Sequence, residues 1–189
     1  MKKITLAEFL KLNPSTLSGL LIAFSTDTIF GVGTMVDEKV MEGIAKIYQM
    51  KKREPNKPIA LLIDNLAQVQ NDILIEDYHQ PLIAKWPGAL TLIFKKTSDR
   101  FPFTDQSIGI RIPNSKIARA ILKTFGPMAT TSVNISGTKA LNSPQEIEEH
   151  FADKIDYLIT DDEIHSSVAS TVVDLTDGLK ILRQGDIKI

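Results

Sequence analysis

A chain of 189 residues, 43% hydrophobic and 24% charged, has the composition of a soluble globular protein, and its length suits one domain over 1–189 whose core needs no metal or disulfide. Cysteine is absent, which excludes disulfides, thiol nucleophiles and cysteine-ligated zinc and fits a reducing, cytoplasmic location. The net charge of -1 gives no whole-molecule case for nucleic acid, and no apolar run reaches the ~18 residues of a membrane span.

In chain order, Thr5-Leu6-Ala7-Glu8 reads as a capping box opening a short helix with Leu6, Phe9 and Leu10 on its apolar side, ended by Pro14. Gly19 to Ser25 is a continuous apolar run of strand length, expected to be buried on both faces. Thr26 to Gly33 is expected to be a loop leaving that strand, with glycines that permit close backbone approach. Asp37 reads as an N-cap, and Val40, Ile44, Ile47 and Tyr48 at helical spacing predict a helix over 38–51. Ile59 to Ile63 is a second buried strand, after which Asp64-Asn65 is expected to cap a short helix. A helix around Leu82 and Ile83 is expected within 73–85, followed by a turn at Trp86-Pro87-Gly88. Leu90 to Lys95 and Ser107 to Ile112 read as strands. Ser115 caps a helix carrying Ile117, Ala120, Ile121 and Phe125, stopped by Gly126-Pro127. Met128 to Thr131 is a short strand, and Ser143-Pro144-Gln145-Glu146 is a second capping box with proline at the first helical position. Tyr157 to Thr160, Ser170 to Leu175 and Lys180 to Arg183 are late strands.

Strands and helices intermingle, so the class is α/β. Antiparallel pairs are expected between 90–95 and 107–112 and between 170–175 and 180–183. The sheet is therefore expected to be twisted and mixed, parallel and antiparallel, with flanking helices and a concave basic cleft.

Three features carry chemistry. Lys51, Lys52, Arg53 and Lys57 gather four cations in seven residues, at the end of the 38–51 helix. Such residues complement a helix dipole without any ligand, but they also neutralise phosphate or carboxylate. An extended backbone after Lys51, favoured by Pro55 and Pro58, would put Lys51 and Arg53 on one face. Arg111 lies among apolar neighbours in Ile108-Gly109-Ile110-Arg111-Ile112-Pro113. It is either on an exposed strand face or a guanidinium clamp for an anion. Thr130-Thr131-Ser132-Val133-Asn134-Ile135-Ser136-Gly137 gathers small hydroxyls and an amide at a strand end, where open α/β sheets usually bind ligands. Neither Gly31-x-Gly33 nor this loop matches a Walker A or dinucleotide fingerprint. His79, His150 and His165 have no metal-ligand spacing and are expected at the surface. Trp86 is expected to anchor its turn.

Read in order, these motifs resemble the YrdC/TsaC family, the threonylcarbamoyl-AMP synthases. The family's opening loop corresponds to Ser25-Thr26-Asp27-Thr28-Ile29-Phe30-Gly31-Val32-Gly33, and its Lys-x-Arg to Lys51-Lys52-Arg53 with Lys57-Pro58 following. Trp86-Pro87-Gly88-Ala89-Leu90-Thr91, Ile110-Arg111-Ile112-Pro113 and Ser132-Val133-Asn134-Ile135-Ser136-Gly137 come next. Ser170-Thr171-Val172-Val173-Asp174 and Arg183-Gln184-Gly185 close the set. Ser25 replaces the usual proline, and Glu54 stands where proline commonly follows the arginine. Neither change removes a presumed ligand group. The likeness is to the short, single-domain form.

The resemblance implies that L-threonine, bicarbonate and ATP, with Mg²⁺, give threonylcarbamoyl-AMP and pyrophosphate. A tRNA threonylcarbamoyl transferase complex then uses the product to modify tRNAs reading ANN codons. It assigns Arg111, Thr26, Lys57 and Ser170 to threonine and its carbamate. Lys51, Arg53, Thr130, Ser132, Asn134 and Arg183 fall to ATP, with Lys51 and Arg53 as the catalytic cations. Thr28 is a weaker contributor. Loss of Arg53 or Arg111 is expected to abolish adenylate formation with the fold intact. The rival is a non-catalytic module binding tRNA or double-stranded RNA by phosphate contacts, and weak RNA binding is compatible with the synthase too. Against the rival, the aromatics do not interleave with the basic residues. A carbamoyl-adenylate enzyme using carbamoyl phosphate is a second rival, disfavoured by the chain's length.

Overall fold

The computed structural model describes residues 1–54, 57–161, 166 and 168–189. Ten strands form one sheet: β1 (Lys2–Ile4), β2 (Ile22–Phe24), β3 (Gly31–Met35), β4 (Ala60–Leu62), β5 (Leu90–Lys95), β6 (Ser107–Arg111), β7 (Met128–Ser132), β8 (Tyr157–Ile159), β9 (Thr171–Asp174) and β10 (Lys180–Arg183). Their spatial order is β1-β8-β2-β3-β7-β4-β6-β5-β9-β10. Pairing is parallel at β1–β8, β2–β8, β4–β6 and β5–β9 and antiparallel elsewhere, so the mixed sheet expected from the sequence is present. Both expected antiparallel pairs, β5 with β6 and β9 with β10, are among them.

Helices α1 (Leu6–Phe9), α2 (Val40–Lys51), α3 (Gln80–Ile83), α4 (Lys116–Phe125) and α5 (Pro144–Phe151) flank the sheet. Thr5 makes the full capping box with Glu8. At α5 only half of the expected box forms: Ser143 Oγ accepts from the Glu146 amide, but the Glu146 carboxylate accepts from the Asn142 amide instead. Asn65 precedes a 3₁₀ turn, Leu66–Gln68, without a side-chain cap; the Asp64 amide donates to the Gln68 side chain instead. The expected 73–85 helix shrinks to a 3₁₀ turn at Asp77–His79 and α3, because Ile73 bridges to Lys96 beside β5.

Two expectations are corrected, the first of them at the site. The expected loop 26–33 ends early: Gly31 to Met35 is a buried strand, with Gly31 opposite Ser132 and Gly33 opposite Thr130. A Cβ on Gly33 would lie 2.6 Å from Thr130 Oγ1, and one on Gly31 2.9 Å from Thr130 Cγ2. These glycines make room for a neighbouring strand's side chain. The second correction is His79, which is buried rather than exposed: its Nδ1 accepts from the Glu76 amide, and its ring meets Phe94 edge-on. His165 lies outside the described residues.

The sheet has different cover on its two faces. One face carries Val32, Leu61, Ala129, Ile110, Leu92 and Val173, which join the large core with Ile44 and Ile47 of α2 and Ile147 of α5. The other face carries Phe24, Met35, Leu62 and Met128, packed under Ile117, Ile121 and Leu122 of α4. Helix α4 covers only that end. Side chains alternate along a strand, so the residues continuing the second face reach an uncovered region. That region is the candidate site. Among the described residues, no helix is long and apolar enough to cross a membrane.

Candidate active site

A cleft of about 440 Å³ opens on this uncovered stretch. Its floor follows the period of two: Thr130 and Ser132 from β7, Ala60 and Leu62 from β4, Ser107, Gly109 and Arg111 from β6, Thr91 and Ile93 from β5, and Val172 from β9. Thr26, Thr28 and Phe30 enter from the turn before β3, Arg53 from beyond α2, Ser170 from just before β9 and Arg183 from β10. Of the ten site residues expected from the sequence, Thr26, Arg53, Arg111, Thr130, Ser132, Ser170 and Arg183 line this cleft. Lys51, Lys57 and Asn134 do not.

Arg111 is 6% exposed. Its Nε donates to the Gly88 carbonyl at 3.0 Å, Nη1 to Thr28 Oγ1 at 2.8 Å, and Nη2 to Asp27 Oδ1. Three of a guanidinium's five N–H donors are thus fixed, leaving two without a partner among the described residues. Burial pulls the guanidinium's pKa down, and the Asp27 carboxylate opposes that. Thr26 Oγ1 donates to the Ile29 carbonyl at 2.7 Å and lies 3.1 Å from Thr28 Oγ1, so the two threonines form a hydroxyl pair beside Arg111.

Lys51 and Arg53 are both brought to the end of β7, but not along an extended path. Lys51 is the last residue of α2, and Lys52 takes a left-handed cap with φ 49°. Lys51 then turns inward at 2% exposure. Its ammonium donates to the Ser132 carbonyl at 2.6 Å, to Asn134 Oδ1 at 2.7 Å and to the Asn134 carbonyl at 3.2 Å. Asn134 Nδ2 donates to the Ile135 and Thr138 carbonyls, and Ser132 Oγ donates to Asn134 Oδ1 at 2.7 Å. Lys51 and Asn134 therefore knit the loop behind the cleft. Arg53 stays at the cleft, with Nη2 donating to the Pro58 carbonyl at 2.9 Å and Nη1 reaching Thr131 Oγ1 at 3.5 Å. Its Nε is buried with no hydrogen-bond partner among the described residues. Lys57 is exposed, and Pro55 lies outside the described residues.

Burial, followed by repulsion from Arg53, pushes the Lys51 ammonium down to about 8 from an ordinary 10.5. The folded value lies below the unfolded one, so the cost of burying charged Lys51 is full below pH 8. It fades as pH rises through 8 towards 10.5, and Lys51 alone makes stability increase across that window. Lys51→Met is expected to flatten this part of the curve, as chemical denaturation between pH 7 and 10.5 would show. An unchanged slope would mean that the ammonium is not held as buried and charged.

At the far end, Arg183 Nε donates to the Ser170 carbonyl at 2.9 Å and Nη2 to Ser170 Oγ at 3.2 Å. Burial lowers its pKa, and repulsion by Arg111 lowers it further. Two guanidiniums that feel each other across one cleft attract an anion between them. Gly185 holds this arrangement by close backbone approach: a Cβ there would collide with the Ala169 carbonyl. Asp27, Thr91 and Thr131 are the site residues that motif reading quoted without a role. The alternation of Thr91 with Ile93 along β5 was the available signal for Thr91. Among the described residues, no three His, Cys, Asp or Glu side chains cluster as metal ligands.

Three arginines and a rim of hydroxyls on an open α/β sheet define a protein that binds a polyanionic, oxygen-rich ligand. The chain belongs to the Sua5/YciO/YrdC family, described as Telomere recombination, which matches residues 16–185. A Methanocaldococcus jannaschii protein, provisionally named a threonylcarbamoyl-AMP synthase, is 33% identical over 186 residues, covering 96% of this chain and 86% of its own. The threonylcarbamoyl-AMP synthase of Pyrococcus abyssi is 31% identical over 174 residues, 87% of this chain and 49% of the relative. The solved structure of P. abyssi Sua5 complexed with L-threonine superimposes with a TM-score of 0.82 at 27% identity, over 97% of this chain and 56% of that one. This chain thus spans about half of the Pyrococcus proteins and most of the Methanocaldococcus one.

Proposed function

We propose that the chain is an L-threonylcarbamoyladenylate synthase, an ATP-using nucleotidyltransferase serving the modification of tRNAs that read ANN codons. The observation that carries this reading is the convergence of Arg53, Arg111 and Arg183 on one cleft, in a chain similar over most of its length to proteins named threonylcarbamoyl-AMP synthase. The reaction joins anions. Threonine's amine and bicarbonate form a carbamate with loss of water. The carbamate oxygen then attacks the α-phosphorus of ATP, and pyrophosphate leaves. No covalent enzyme nucleophile is needed; positioning and charge neutralisation supply the rate.

In this reading Arg111 takes the threonine carboxylate on its two open donors, with Thr26 and Ser170 beside it. Arg53 and Arg183 face the nucleotide's phosphates, and Thr130 and Ser132 hold the forming adenylate. Lys51 and Asn134 act through the Ser132 backbone that they fix, and Lys57 reaches phosphate only from outside the cleft. Among the described residues the cleft is lined by hydroxyls and cations and by no carboxylate, and the Asp27 carboxylate beside it is tied to Arg111. That donor set does not fit a protein-built Mg²⁺ cage, so the metal enters with the ATP phosphates, as Mg²⁺ commonly does. The work is assigned to the cytoplasm, where ATP and tRNA meet, to one unit spanning 1–189, and to a downstream tRNA threonylcarbamoyl transferase complex.

The test is pyrophosphate release by the purified chain. It is expected to require ATP, threonine and bicarbonate together, and no tRNA. Release that ignores threonine would overturn the reading, and tight RNA binding without ATP turnover would favour a binding module.

A further inference from the structure

We propose that Thr91 is a further substrate-binding residue, the end of a hydroxyl relay that gives one hydrogen bond to the carboxylate of the amino-acid substrate. The proposal rests on the synthase reading above and goes beyond it by placing a ligand contact on β5. Thr91 and Ser170 are both buried, both line the cleft, and their hydroxyl oxygens lie 2.9 Å apart. Two hydroxyls have two protons, and their mutual contact uses one. The guanidinium of Arg183 decides which is left over. It has donors only, so Ser170 Oγ accepts from Nη2 at 3.2 Å. A hydroxyl that accepts from a cation is polarised into a better donor, so the Ser170 proton goes to Thr91 Oγ1. The Thr91 O–H is then the unspent donor, and Thr91 Oγ1 has no other hydrogen-bond partner among the described residues.

Its aim is fixed from both sides. Thr91 is β-branched and therefore stiff at χ1. Its methyl lies over Gly109, where an added Cβ would touch Cγ2 at 3.4 Å. The β5–β6 register, with Leu92 opposite Ile110, carries on to put Thr91 level with Arg111 on the cleft face. The hydroxyl thus stands between the Arg111 guanidinium and the Ser170–Arg183 pair. An oxygen placed there would be shared by a cation and a polarised hydroxyl, which is how a carboxylate is held against neutral competitors.

Thr91→Val keeps the shape and removes the relay's last proton. The experiment is steady-state pyrophosphate release with threonine and ATP varied separately, alongside melting temperatures. Thr91→Val is expected to raise the threonine KM by about tenfold or more, the usual loss for one hydrogen bond to a charged group, with the ATP KM unchanged. Thr91→Ser, which restores the hydroxyl, is expected to recover most of that loss. An unchanged threonine KM in Thr91→Val would overturn the proposal. So would an equal rise in the ATP KM, or a serine variant as impaired as the valine one, since packing would then be the cause. Absence of threonine-dependent release in the wild-type chain would instead overturn the synthase reading beneath it, and that measurement involves no variant.

Discussion

Arg53→Ala is expected to lower threonine- and bicarbonate-dependent pyrophosphate release by about 10²- to 10³-fold, the usual loss when one fixed donor is removed from a site of developing charge. The fold should barely notice. Arg53 is only partly buried, and its bonds go to one carbonyl and, at 3.5 Å, one hydroxyl. Neither partner is a charge that would be stranded. Its Nε is a buried donor without a partner among the described residues, and an anion in the cleft would give it one. A melting temperature within about 2–4 °C of the parent, the shift of roughly 1 kcal/mol in a chain of this size, is therefore expected. Arg53→Lys keeps the charge but loses the fork, so it should restore only part of the rate. Wild-type turnover in Arg53→Ala would remove this residue from the reaction.

Arg111→Ala is expected to lose both activity and stability, where motif reading alone expected loss of activity with the fold intact. The guanidinium and the Asp27 carboxylate are 7% and 14% exposed. Removing one partner of such a pair strands the other, at a cost of about 3–5 kcal/mol. Denaturant midpoints would measure it. Adding Asp27→Asn to Arg111→Ala removes the stranded charge and should recover part of the stability but none of the activity. If the single variant is as stable as the parent, the pair is not the buried one described here.

Local patterns fixed much of the architecture. The apolar run before Ser25, the helical spacing from Val40 to Tyr48 and the Ser115 cap each matched a real element, because burial and capping are properties of near neighbours in sequence. The same holds for the cations of 51–57 and the hydroxyls of 130–136, whose chemistry is visible wherever they sit. Where the sequence misled, a distant strand was responsible. Gly31 and Gly33 read as a loop, yet they are strand residues whose missing side chains admit Thr130 of β7. Lys51 and Arg53 read as one basic face, yet a left-handed cap at Lys52 sends Lys51 inward under Ser132 and leaves Arg53 at the cleft. Asp27 and Arg111 are 84 residues apart, and Thr91 and Ser170 are 79 apart. Residue types alone pointed to an oxygen-rich anion as the ligand. Which donors are already spent and which still face the ligand was decided only by strand order and register, since these bring distant side chains within a hydrogen bond of each other.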